Sequence, residues 1–448
     1  MAILVIICRV AFAASMFLLG VYAVRHFWFG VYRLNLVRPI DYSELEGFDL
    51  PRISVIVPMH NEEDVASDIL EALAESDYDA ERLEVLAVDD RSTDGTGAVI
   101  DDFATRYGVV RGLHRTEGNG GKAGALDFAT RDAKGDVIMV FDADYVPGRG
   151  ILKMLAAPFA DPRIGAVMGR VVPHNASASL MSGLLALERA AGYQVGQQAR
   201  FNMGLVPQFG GTVGGVRTSA LRAVGGWNAR SLTEDTDLTC RLAIAGWKIA
   251  YVNRAECYEQ VPQSWQVRRK QLRRWVIGHT ECLHRYWWRV ARSNALTWRQ
   301  RADLLLMLAC YWTAPILLVG WVASLLLFFV EQPLPVTIPA AALLIIGCQL
   351  FANQASFFEL AAATALDRDR LLALLLPMTI LNFFSSTAAI SAALTSYYGN
   401  RLRGRSEFNW QRTTRYRTNG NGNGNGHGNG NGNGHGGNGN GNGGPRVR

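Results

Sequence analysis

The sequence is short of charged residues and has no closely spaced cysteines. Asp, Glu, Lys and Arg make up 19% of its 448 residues, whereas ordinary soluble domains carry roughly 25%. That deficit, together with 49% hydrophobic residues, excludes a disordered chain over residues 1–400 and a wholly soluble single domain. None of the six cysteines forms a CxxC pair, which argues against a disulfide framework or a zinc site. We expect reduced, packed thiols on the cytoplasmic side or in the membrane.

Apolar residues are missing from the C-terminal segment. From Thr418 to Gly444 the sequence is almost entirely Asn and Gly, interspersed with His427 and His435. Asn-Gly repeats are flexible and solvated, so we interpret this tail as a linker. Two histidines are too few to indicate metal binding.

The chain also lacks charge ahead of its first apolar run. Residues 3–24 are apolar apart from Arg9, and a spanning helix needs about 20 such residues. A cleaved signal peptide has a basic start and a shorter apolar core, whereas here Arg25, Arg33 and Arg38 follow the run. Positive charge on that flank indicates an uncleaved anchor whose C-terminal end is cytoplasmic.

Three more apolar segments follow near the C-terminus: Leu304–Val330, Val336–Phe358 and Leu371–Tyr398. If the middle of the chain is cytoplasmic, the first two form a hairpin whose tip lies outside, and the third carries the tail outside. Six arginines between residues 401 and 417 instead favour a tail that stays inside. In that case one segment is re-entrant or interfacial, and Pro377 makes the third a candidate. The topology of the C-terminus therefore stays open.

Between Arg38 and about Val261, short apolar runs alternate with helical patterns. The runs predict buried strands, and the stretches between the early ones predict helices. Such alternation indicates an α/β fold with a mostly parallel sheet and helices on both faces, in which ligands sit at the carboxyl ends of the strands. The predicted strands are Ile53–Pro58, Glu84–Val88, Val137–Phe141 and Ala166–Val172, and the predicted helices include Glu63–Ser76 and Ala123–Ala133.

Acidic side chains cluster at the ends of two predicted strands. Asp89 and Asp90 end the second strand, and Asp142 and Asp144 follow the third. Two carboxylates spaced i, i+2 past a buried strand can reach one ligand from one edge. Hard divalent cations such as Mg²⁺ and Mn²⁺ take oxygen ligands and often share them with a bound diphosphate. The alternative is a solvated turn, because Asp also favours turns through local hydrogen bonds.

Two further motifs are ambiguous when taken alone. Gly118–Ala123, which contains Lys122, opens a predicted helix but fails the phosphate-loop pattern and fits the dinucleotide fingerprint only loosely. Glycine and lysine at a helix start suit a diphosphate, and an ordinary flexible loop is equally compatible. Thr233-Glu234-Asp235 lies before a predicted helix over Leu238–Ala245, so Thr233 could be a plain N-cap followed by acids that favour a helix N-terminus.

Four motifs nevertheless appear in a fixed order. They are Asp89-Asp90, Asp142-Ala143-Asp144, Thr233-Glu234-Asp235 and Gln271-Leu272-Arg273-Arg274-Trp275. In order and spacing they resemble the DD, DxD, TED and QxxRW motifs of membrane-bound family-2 glycosyltransferases, over about residues 50–300. The chain looks most like processive synthases of β-linked polysaccharides such as cellulose, chitin, hyaluronan and poly-N-acetylglucosamine. The resemblance implies a GT-A nucleotide-sugar transferase fold, Rossmann-like, with N- and C-terminal transmembrane helices and an inverting mechanism.

On the donor side, the resemblance implies roles for five residues. Asp89 and Asp90 would lie near the base and ribose of the nucleotide, and Lys122 near the nucleotide-binding pocket. Asp142 and Asp144 would hold Mg²⁺ or Mn²⁺ and the diphosphate. Such a metal would neutralise the negative charge that develops on the departing nucleoside diphosphate.

On the acceptor side, the resemblance implies that Asp235 is the general base, with Glu234 beside it. A carboxylate that accepts the proton of the attacking hydroxyl accelerates transfer by typically ~10²–10⁴-fold. Arg274 offers a planar fork for phosphate oxygens, and the ring face of a tryptophan suits the apolar face of a pyranose. The residues expected to close over the diphosphate and the acceptor sugar are Gln271, Arg274 and Trp275, with Thr212 of the supporting Phe209-Gly210-Gly211-Thr212 motif.

Ten basic residues and five tryptophans are interleaved between Trp265 and Asp303. This pattern is typical of amphipathic helices in the headgroup region of a bilayer. Nucleic-acid binding is the other use of basic residues with aromatics, but the position immediately before a spanning segment favours the lipid bilayer. We expect no nucleic-acid partner.

These expectations define a domain organisation. It comprises an N-terminal transmembrane anchor (1–38), a cytoplasmic GT-A domain (50–262), amphipathic interfacial helices with QxxRW (263–302), transmembrane helices (303–398) and a basic segment with the Asn/Gly-rich tail (399–448).

Three hypotheses about function stay open. The first is a polysaccharide synthase that uses UDP-glucose or UDP-N-acetylglucosamine. The second is a non-processive transferase to a lipid such as ceramide or diacylglycerol, because some lipid glucosyltransferases share these motifs. The third is a non-catalytic scaffold that binds nucleotide sugar, although every expected carboxylate is present. Three apolar segments are few for a polymer channel, so a homo-oligomer or an accessory export protein is a further expected partner.

Overall fold

In the computed structural model, which describes residues 2–35, 49–118, 121–330 and 355–404, eight strands form one mixed sheet. The strands are β1 (Ile53–Met59), β2 (Leu83–Asp90), β3 (Val110–Arg115), β4 (Val137–Val140), β5 (Val146–Pro147), β6 (Ile164–Pro173), β7 (Gly214–Arg217) and β8 (Lys248–Glu259). Their order across the sheet is β3-β2-β1-β4-β7-β6-β8-β5.

The sheet is mostly parallel, as the sequence predicts. Strand β1 pairs in parallel with β2 and β4, β2 with β3, and β6 with β8. Strand β7 runs antiparallel to both β4 and β6, and the two-residue β5 runs antiparallel to β8. The four predicted strands are confirmed as β1, β2, β4 and β6. Because β1, β2 and β4 are parallel, their carboxyl ends lie at one edge of the sheet.

Helices cover both faces of the sheet. Their bounds are α1 (Ala2–Asn35), α2 (Glu63–Ala74), α3 (Thr96–Arg106), α4 (Gly121–Thr130), α5 (Ile151–Ala156), α6 (Leu180–Ala190), α7 (Gln198–Asn202), α8 (Thr218–Ala223), α9 (Glu234–Ile244), α10 (Trp265–Ala291), α11 (Trp298–Leu308) and α12 (Thr313–Val330). A π-helix over Ala191–Gln197 joins α6 to α7. Further along, residues 355–367 are helical (α13), followed by α14 (Arg370–Ala373) and α15 (Thr379–Leu402).

Two buried clusters lie on opposite faces of the sheet. In β1, Val55 and Val57 belong to one cluster and Ile56 to the other, because alternate side chains of a strand point to opposite faces. On the first face α2 contributes Ile69, and on the second face α4 contributes Leu126. The predicted helices Glu63–Ser76 and Ala123–Ala133 are confirmed in position, although α4 begins two residues earlier.

Among the described residues, three helices are long and apolar enough to cross a membrane. They occupy Ala2–Asn35, Cys310–Leu327 and Leu376–Leu402. Helix α1 packs along α12. It extends beyond the apolar run of residues 3–24 through Arg25 and Arg33, and it ends at Asn35, within the predicted anchor of residues 1–38. The predicted segment Val336–Phe358 lies mostly outside the described residues, and everything beyond residue 404, including the Asn/Gly-rich tail, lies outside them entirely.

The structure corrects the outline of two predicted apolar segments. Leu304–Val330 is not one helix, because α11 ends at Leu308 and a 3-10 turn intervenes before α12. Pro315 lies in the first turn of α12, where its missing N–H costs no helical hydrogen bond. In the last segment Pro377 lies in a 3-10 turn between α14 and α15, so the long helix starts only at Thr379.

The cysteines are packed thiols where the structure describes them. None of the five described cysteines is in a disulfide, and four of them are buried: Cys8, Cys240, Cys257 and Cys282. Cys348 lies outside the described residues.

Candidate active site

A cavity of about 500 Å³ opens beside the carboxyl ends of β1 and β4. Nine of the eleven residues predicted to form the site line it, and together they come from five stretches of chain. They are Lys122, Asp142, Asp144, Thr212, Glu234, Asp235, Gln271, Arg274 and Trp275. Their side chains therefore face one common space.

The two aspartates of the DxD motif lie just past β4, which ends at Val140. The backbone N–H of Asp142 donates to Thr212 Oγ1 at 3.1 Å, and Lys122 Nζ donates to Asp142 Oδ1 at 2.5 Å. Asp144 is only 8% exposed. The first aspartate is thus held by one backbone and one side-chain hydrogen bond at the cavity wall.

Lys122 owes its position to the start of α4, where it is the second residue. Its Nζ also lies 3.9 Å from Glu234 Oε1, so one ammonium group links the DxD and TED motifs. Burial alone would lower the pKa of Lys122, but the charges of Asp142 and Glu234 outweigh it and raise that pKa. The lysine is therefore a fixed cation in this cavity.

The TED motif forms the first turn of a helix rather than preceding one. Helix α9 begins at Glu234 instead of Leu238, and Thr233 occupies the cap position without a side-chain capping bond. Its Oγ1 lies 3.7 Å from the Sγ of Cys282 instead, so the plain N-cap interpretation of Thr233 is wrong. Acidic residues in a first helical turn are stabilised by the backbone N–H groups there.

Asp235 is oriented from both sides. One carboxylate oxygen accepts the backbone N–H of Thr236 at 2.6 Å. On the other side Gly211, which has φ +74°, packs so close that an added Cβ would lie 3.0 Å from the Cβ of Asp235. Positive φ and this close approach both require glycine at residue 211.

Burial shifts the pKa values of the titratable groups around Asp235. Burial raises the pKa of Glu234 to about 7, Lys122 opposes that shift, and the charge of Asp235 adds to it. Burial lowers the pKa of His279 to about 4 against the opposing charge of Asp235, so this imidazole is neutral at pH 7. Its Nε2 lies 3.2 Å from Thr236 Oγ1.

The QxxRW residues lie on α10, whose N-terminus is capped by Ser264. The guanidinium carbons of Arg189 and Arg268 lie 5.2 Å and 5.1 Å from the centroid of the Trp275 ring. Arg268 also donates to Gln271 Oε1 at 2.8 Å. Cation–π contacts of this kind hold the tryptophan ring in one orientation at the cavity wall.

Asp89 and Asp90 do not line this cavity, unlike the other nine predicted residues. Asp90 is 4% exposed and accepts from Arg115 Nη1 and Arg91 Nε, both at 2.8 Å. Asp89 Oδ1 accepts the backbone N–H of Ser92 at 2.9 Å. In this structure both carboxylates organise the turn that follows β2, and their expected contacts with base and ribose stay a prediction.

Some lining residues carry no motif that the sequence could have revealed. Glu259, at the end of β8, accepts from Tyr145 OH at 2.8 Å and from Arg189 Nε at 2.6 Å. From the N-terminal helix, Arg25 and His26 also reach the cavity. In the sequence these two residues are the first polar ones after the apolar run. Positive charge at that place is expected beside any membrane anchor, so it gave no reason to assign them to the site.

Known proteins resemble this chain in sequence and fold. Residues 51–278 match the family described as "Glycosyltransferase like family 2". The probable glycosyltransferase YdaM of Bacillus subtilis is 32% identical over 234 residues, 52% of this chain and 56% of the relative. The beta-monoglucosyldiacylglycerol synthase of Synechocystis is 31% identical over 308 residues, 68% of this chain and 63% of the relative.

A third relative is named as a transferase of polysaccharide synthesis. Glucomannan 4-beta-mannosyltransferase 7 of Arabidopsis thaliana is 28% identical over 271 residues, 58% of this chain and 48% of the relative. The chain therefore spans about half to two-thirds of the length of these relatives.

A solved structure bears on the fold. The mannosyltransferase PcManGT from Pyrobaculum calidifontis, in complex with GDP-Man and Mn²⁺, superposes with a TM-score of 0.55 at 23% identity, covering 81% of this chain and 98% of that one. The expected GT-A fold is confirmed by this likeness. Because the residues that match this family, 51–278, make up half of the sequence, we conclude that the chain belongs to glycosyltransferase family 2.

Proposed function

We propose that the chain is a membrane-bound, inverting hexosyltransferase that uses a nucleotide sugar, UDP-glucose or UDP-N-acetylglucosamine. The observation that carries the proposal is the convergence of Lys122, Asp142, Asp144 and Asp235 with the QxxRW residues on one cavity. Cations and carboxylates are present together in that space, as displacement of a diphosphate by a hydroxyl requires.

Asp142 and Asp144 are suited to hold Mg²⁺ or Mn²⁺ with the diphosphate. Within the described ranges, no group of three or more His, Cys, Asp or Glu side chains converges on one point. Two carboxylates with substrate phosphates are nevertheless the usual ligand set for Mg²⁺, which takes oxygen ligands. When bound, such an ion would supply charge neutralisation for the departing diphosphate. Lys122 and Arg274 add positive charge from the protein itself.

Asp235 is the proposed general base. Its carboxylate faces the cavity and is oriented by the backbone N–H of Thr236, so it can accept the proton of an acceptor hydroxyl. Direct attack by that hydroxyl on the anomeric carbon, from the face opposite the diphosphate, inverts the configuration in one step. Trp275 offers a ring face for the acceptor or donor sugar. Glu234, with its pKa near 7, limits the negative charge beside the base at neutral pH.

The acceptor is either a growing β-linked polysaccharide or a lipid. The motif set and the glucomannan transferase relative support the polysaccharide. The glucosyldiacylglycerol synthase relative, which is matched over more of this chain, supports the lipid. A second, largely apolar cavity adjoins the first, and this observation leads us to favour the lipid acceptor.

The proposed location is the plasma membrane, in a multi-pass arrangement with the catalytic domain in the cytoplasm. The three apolar helices support membrane association, and Arg25 and Arg33 at the end of the α1 apolar run support a cytoplasmic flank. A homo-oligomer or an accessory export partner remains part of the proposal only if the product is a polymer.

The activity is tested in membranes that contain the protein, supplied with Mn²⁺ or Mg²⁺ and one radiolabelled UDP-sugar at a time. Products are separated by size and by organic extraction, with Asp235→Asn membranes as the control. Label in an organic-soluble lipid supports the favoured form of the proposal, and label in a high-mass product supports the polysaccharide form. Label that stays in the donor for every sugar tested, equally in wild type and control, overturns the proposed function.

A further inference from the structure

A second cavity of about 750 Å³ lies among the apolar helices, within the roughly 300–1,000 Å³ range of small-molecule sites. We call it the acyl chamber. Its walls come from α6, α12, α13 and α15 and include Leu184, Trp321, Leu360, Phe383 and Phe384. Most of the lining residues are apolar, which suits the apolar part of a ligand.

The acyl chamber and the catalytic cavity share five lining residues, which we call the collar: Arg25, His26, Glu188, Gly192 and Arg200. The two spaces therefore adjoin along these five residues, four of which have polar or charged side chains. A ligand with an apolar part and a polar end could occupy both at once, with its polar end directed to the side that carries Asp235.

We propose that the acyl chamber holds the hydrocarbon chains of a neutral two-chain lipid, whose free hydroxyl passes the collar to reach Asp235. This inference rests on the proposed function and names its acceptor class. Two helices that form the chamber, α12 and α15, contain candidate membrane spans, so a lipid can enter from the bilayer without crossing water.

The charges of the collar favour an uncharged headgroup. Arg25 and Arg200 share Asp303, with N–O distances of 2.7 Å and 3.0 Å. His26 is hydrogen-bonded to Glu359. Both arginines thus contact the same carboxylate, and a phosphate bound to them would compete with Asp303. The Nη2 of Arg25, which is buried without a hydrogen-bond partner among the described residues, is a donor for an uncharged oxygen. A hydroxyl or ester group can instead exchange hydrogen bonds with the collar without separating an ion pair.

Glu188, the one acid of the collar, is also paired with an arginine. Arg268 donates to both of its oxygens, at 2.5 Å and 2.7 Å, and Arg268 also lies over Trp275. The collar is therefore linked through one arginine to the QxxRW helix. A headgroup at the collar would lie beside the residues expected to bind the acceptor sugar.

A polysaccharide fits the acyl chamber poorly. A sugar chain exposes hydroxyl groups all round, and each loses free energy when it is buried without a hydrogen-bond partner. Beyond the collar, the polar side chains that line the chamber are Ser356, Glu359, Thr379 and Asn382, and Glu359 is already bonded to His26. Hydrocarbon chains have no such requirement.

Gly192 permits a direct test, because a Cβ built at this collar position meets no atom within 4 Å. Gly192→Phe would narrow the passage between the two cavities. Gly20→Phe is the matched control, since Gly20 lies in α1, has the same free space around its Cβ and lines neither cavity. The full chain is purified into phosphatidylcholine nanodiscs, and transfer to dioleoylglycerol, to ceramide and to a soluble glucan oligosaccharide is measured separately.

We expect transfer to one of the two lipids, with a decrease of at least tenfold in Gly192→Phe and less than twofold in Gly20→Phe. Trp321→Ala enlarges the chamber and should raise the ratio of transfer to long-chain over short-chain lipid. That ratio is insensitive to a general loss of folded protein, so it remains informative if Gly192→Phe fails to fold. Whichever lipid accepts the sugar identifies the lipid backbone, glycerol or sphingoid.

Binding is tested without turnover by a diacylglycerol that carries a diazirine at the end of one acyl chain. After irradiation, the label should map to peptides of α12 and α15 that line the chamber, and unlabelled dioleoylglycerol should compete it away. Transfer to lipid with label only on the outer faces of these helices overturns the inference and leaves the proposed function intact. Transfer to the glucan alone also overturns it. Absence of transfer from every donor, with chamber labelling retained, counts against the proposed function instead.

Discussion

Lys122 Nζ donates a 2.5 Å hydrogen bond to Asp142 Oδ1, although the two residues belong to different motifs and lie 20 positions apart. The first aspartate of DxD is therefore neutralised before any donor enters. In the proposed reaction, an arriving diphosphate would take over this ammonium group as its own counter-ion, and the aspartate oxygen would then be free to bind a cation. The pair thus exchanges one partner for another without leaving a charge unpaired in a buried site.

Replacement of Lys122 should weaken donor binding. We expect Lys122→Ala to lower kcat/KM for the nucleotide sugar by about 10- to 100-fold, because a hydrogen bond to a charged group is worth roughly 1.5–3 kcal/mol. Lys134, an exposed lysine of the same domain, supplies the control variant Lys134→Ala. Equal kinetics for the two variants, measured at varied donor concentration, would remove Lys122 from the donor site.

Asp235→Asn should abolish most of the transfer while the protein stays folded. The expected loss in kcat is ~10²–10⁴-fold, with little change in affinity for UDP measured by calorimetry. Asp237, two residues on, is fully buried and bound to Arg241, Arg285 and Tyr286. We therefore expect Asp237→Asn to lower Tm rather than kcat. The reverse pattern would reassign the base.

Glu234 should make stability depend on pH. Its pKa is raised from 4.5 to about 7, so folding favours the protonated form. That stabilisation is complete below pH 4.5 and is lost as the pH rises through about 7. We expect Glu234→Gln to raise Tm relative to wild type at pH 8 but not at pH 4.5, a difference worth about 3 kcal/mol in unfolding free energy. A Tm difference that is constant with pH would contradict the raised pKa.

Removal of divalent metal should stop transfer reversibly. We expect EDTA to abolish activity and added Mn²⁺ to restore it. In Asp144→Asn the binding of Mn²⁺ in the presence of UDP, followed by electron paramagnetic resonance, should weaken at least tenfold. Asp132 is exposed, and Asp132→Asn is the matched control. Unchanged Mn²⁺ binding in Asp144→Asn would exclude this carboxylate as a ligand.

The sheet was predictable where strands are buried on both faces. Ile53–Pro58 and Val137–Phe141 are nearly continuous apolar runs, as parallel strands covered by helices require. Strand β3 reads Val-Arg-Gly-Leu-His-Arg and β7 reads Gly-Gly-Val-Arg, so neither has the apolar run that marks a strand. Their pairing depends on neighbours distant in sequence, which a local pattern cannot reveal.

The residues of the candidate site were predictable where they belong to a sequence motif. The carboxylates of DxD were identified because acidic residues at a strand end are conspicuous, whereas those of TED were identified only through the order of the four motifs. Glu259 and Arg189 were not identified, since an acid at the end of β8 and a single arginine in α6 have no local signature. Their pairing exists only because β8 and α6 meet in the folded chain. The collar was hidden for the same reason.

The bond between Arg25 and Asp303 joins residues 278 positions apart, and this separation has a consequence for biogenesis. At about 5–20 residues per second, the ribosome reaches codon 303 roughly 15–55 s after codon 25. Throughout that interval the nascent N-terminal helix carries an arginine whose aspartate has not yet been translated. Until then the insertion machinery, the lipid headgroups or water must solvate this arginine. The residues between Arg25 and Asp303, which include the whole sheet, are made in that interval and can fold first, so the ion pair between the two forms late in the synthesis of the chain.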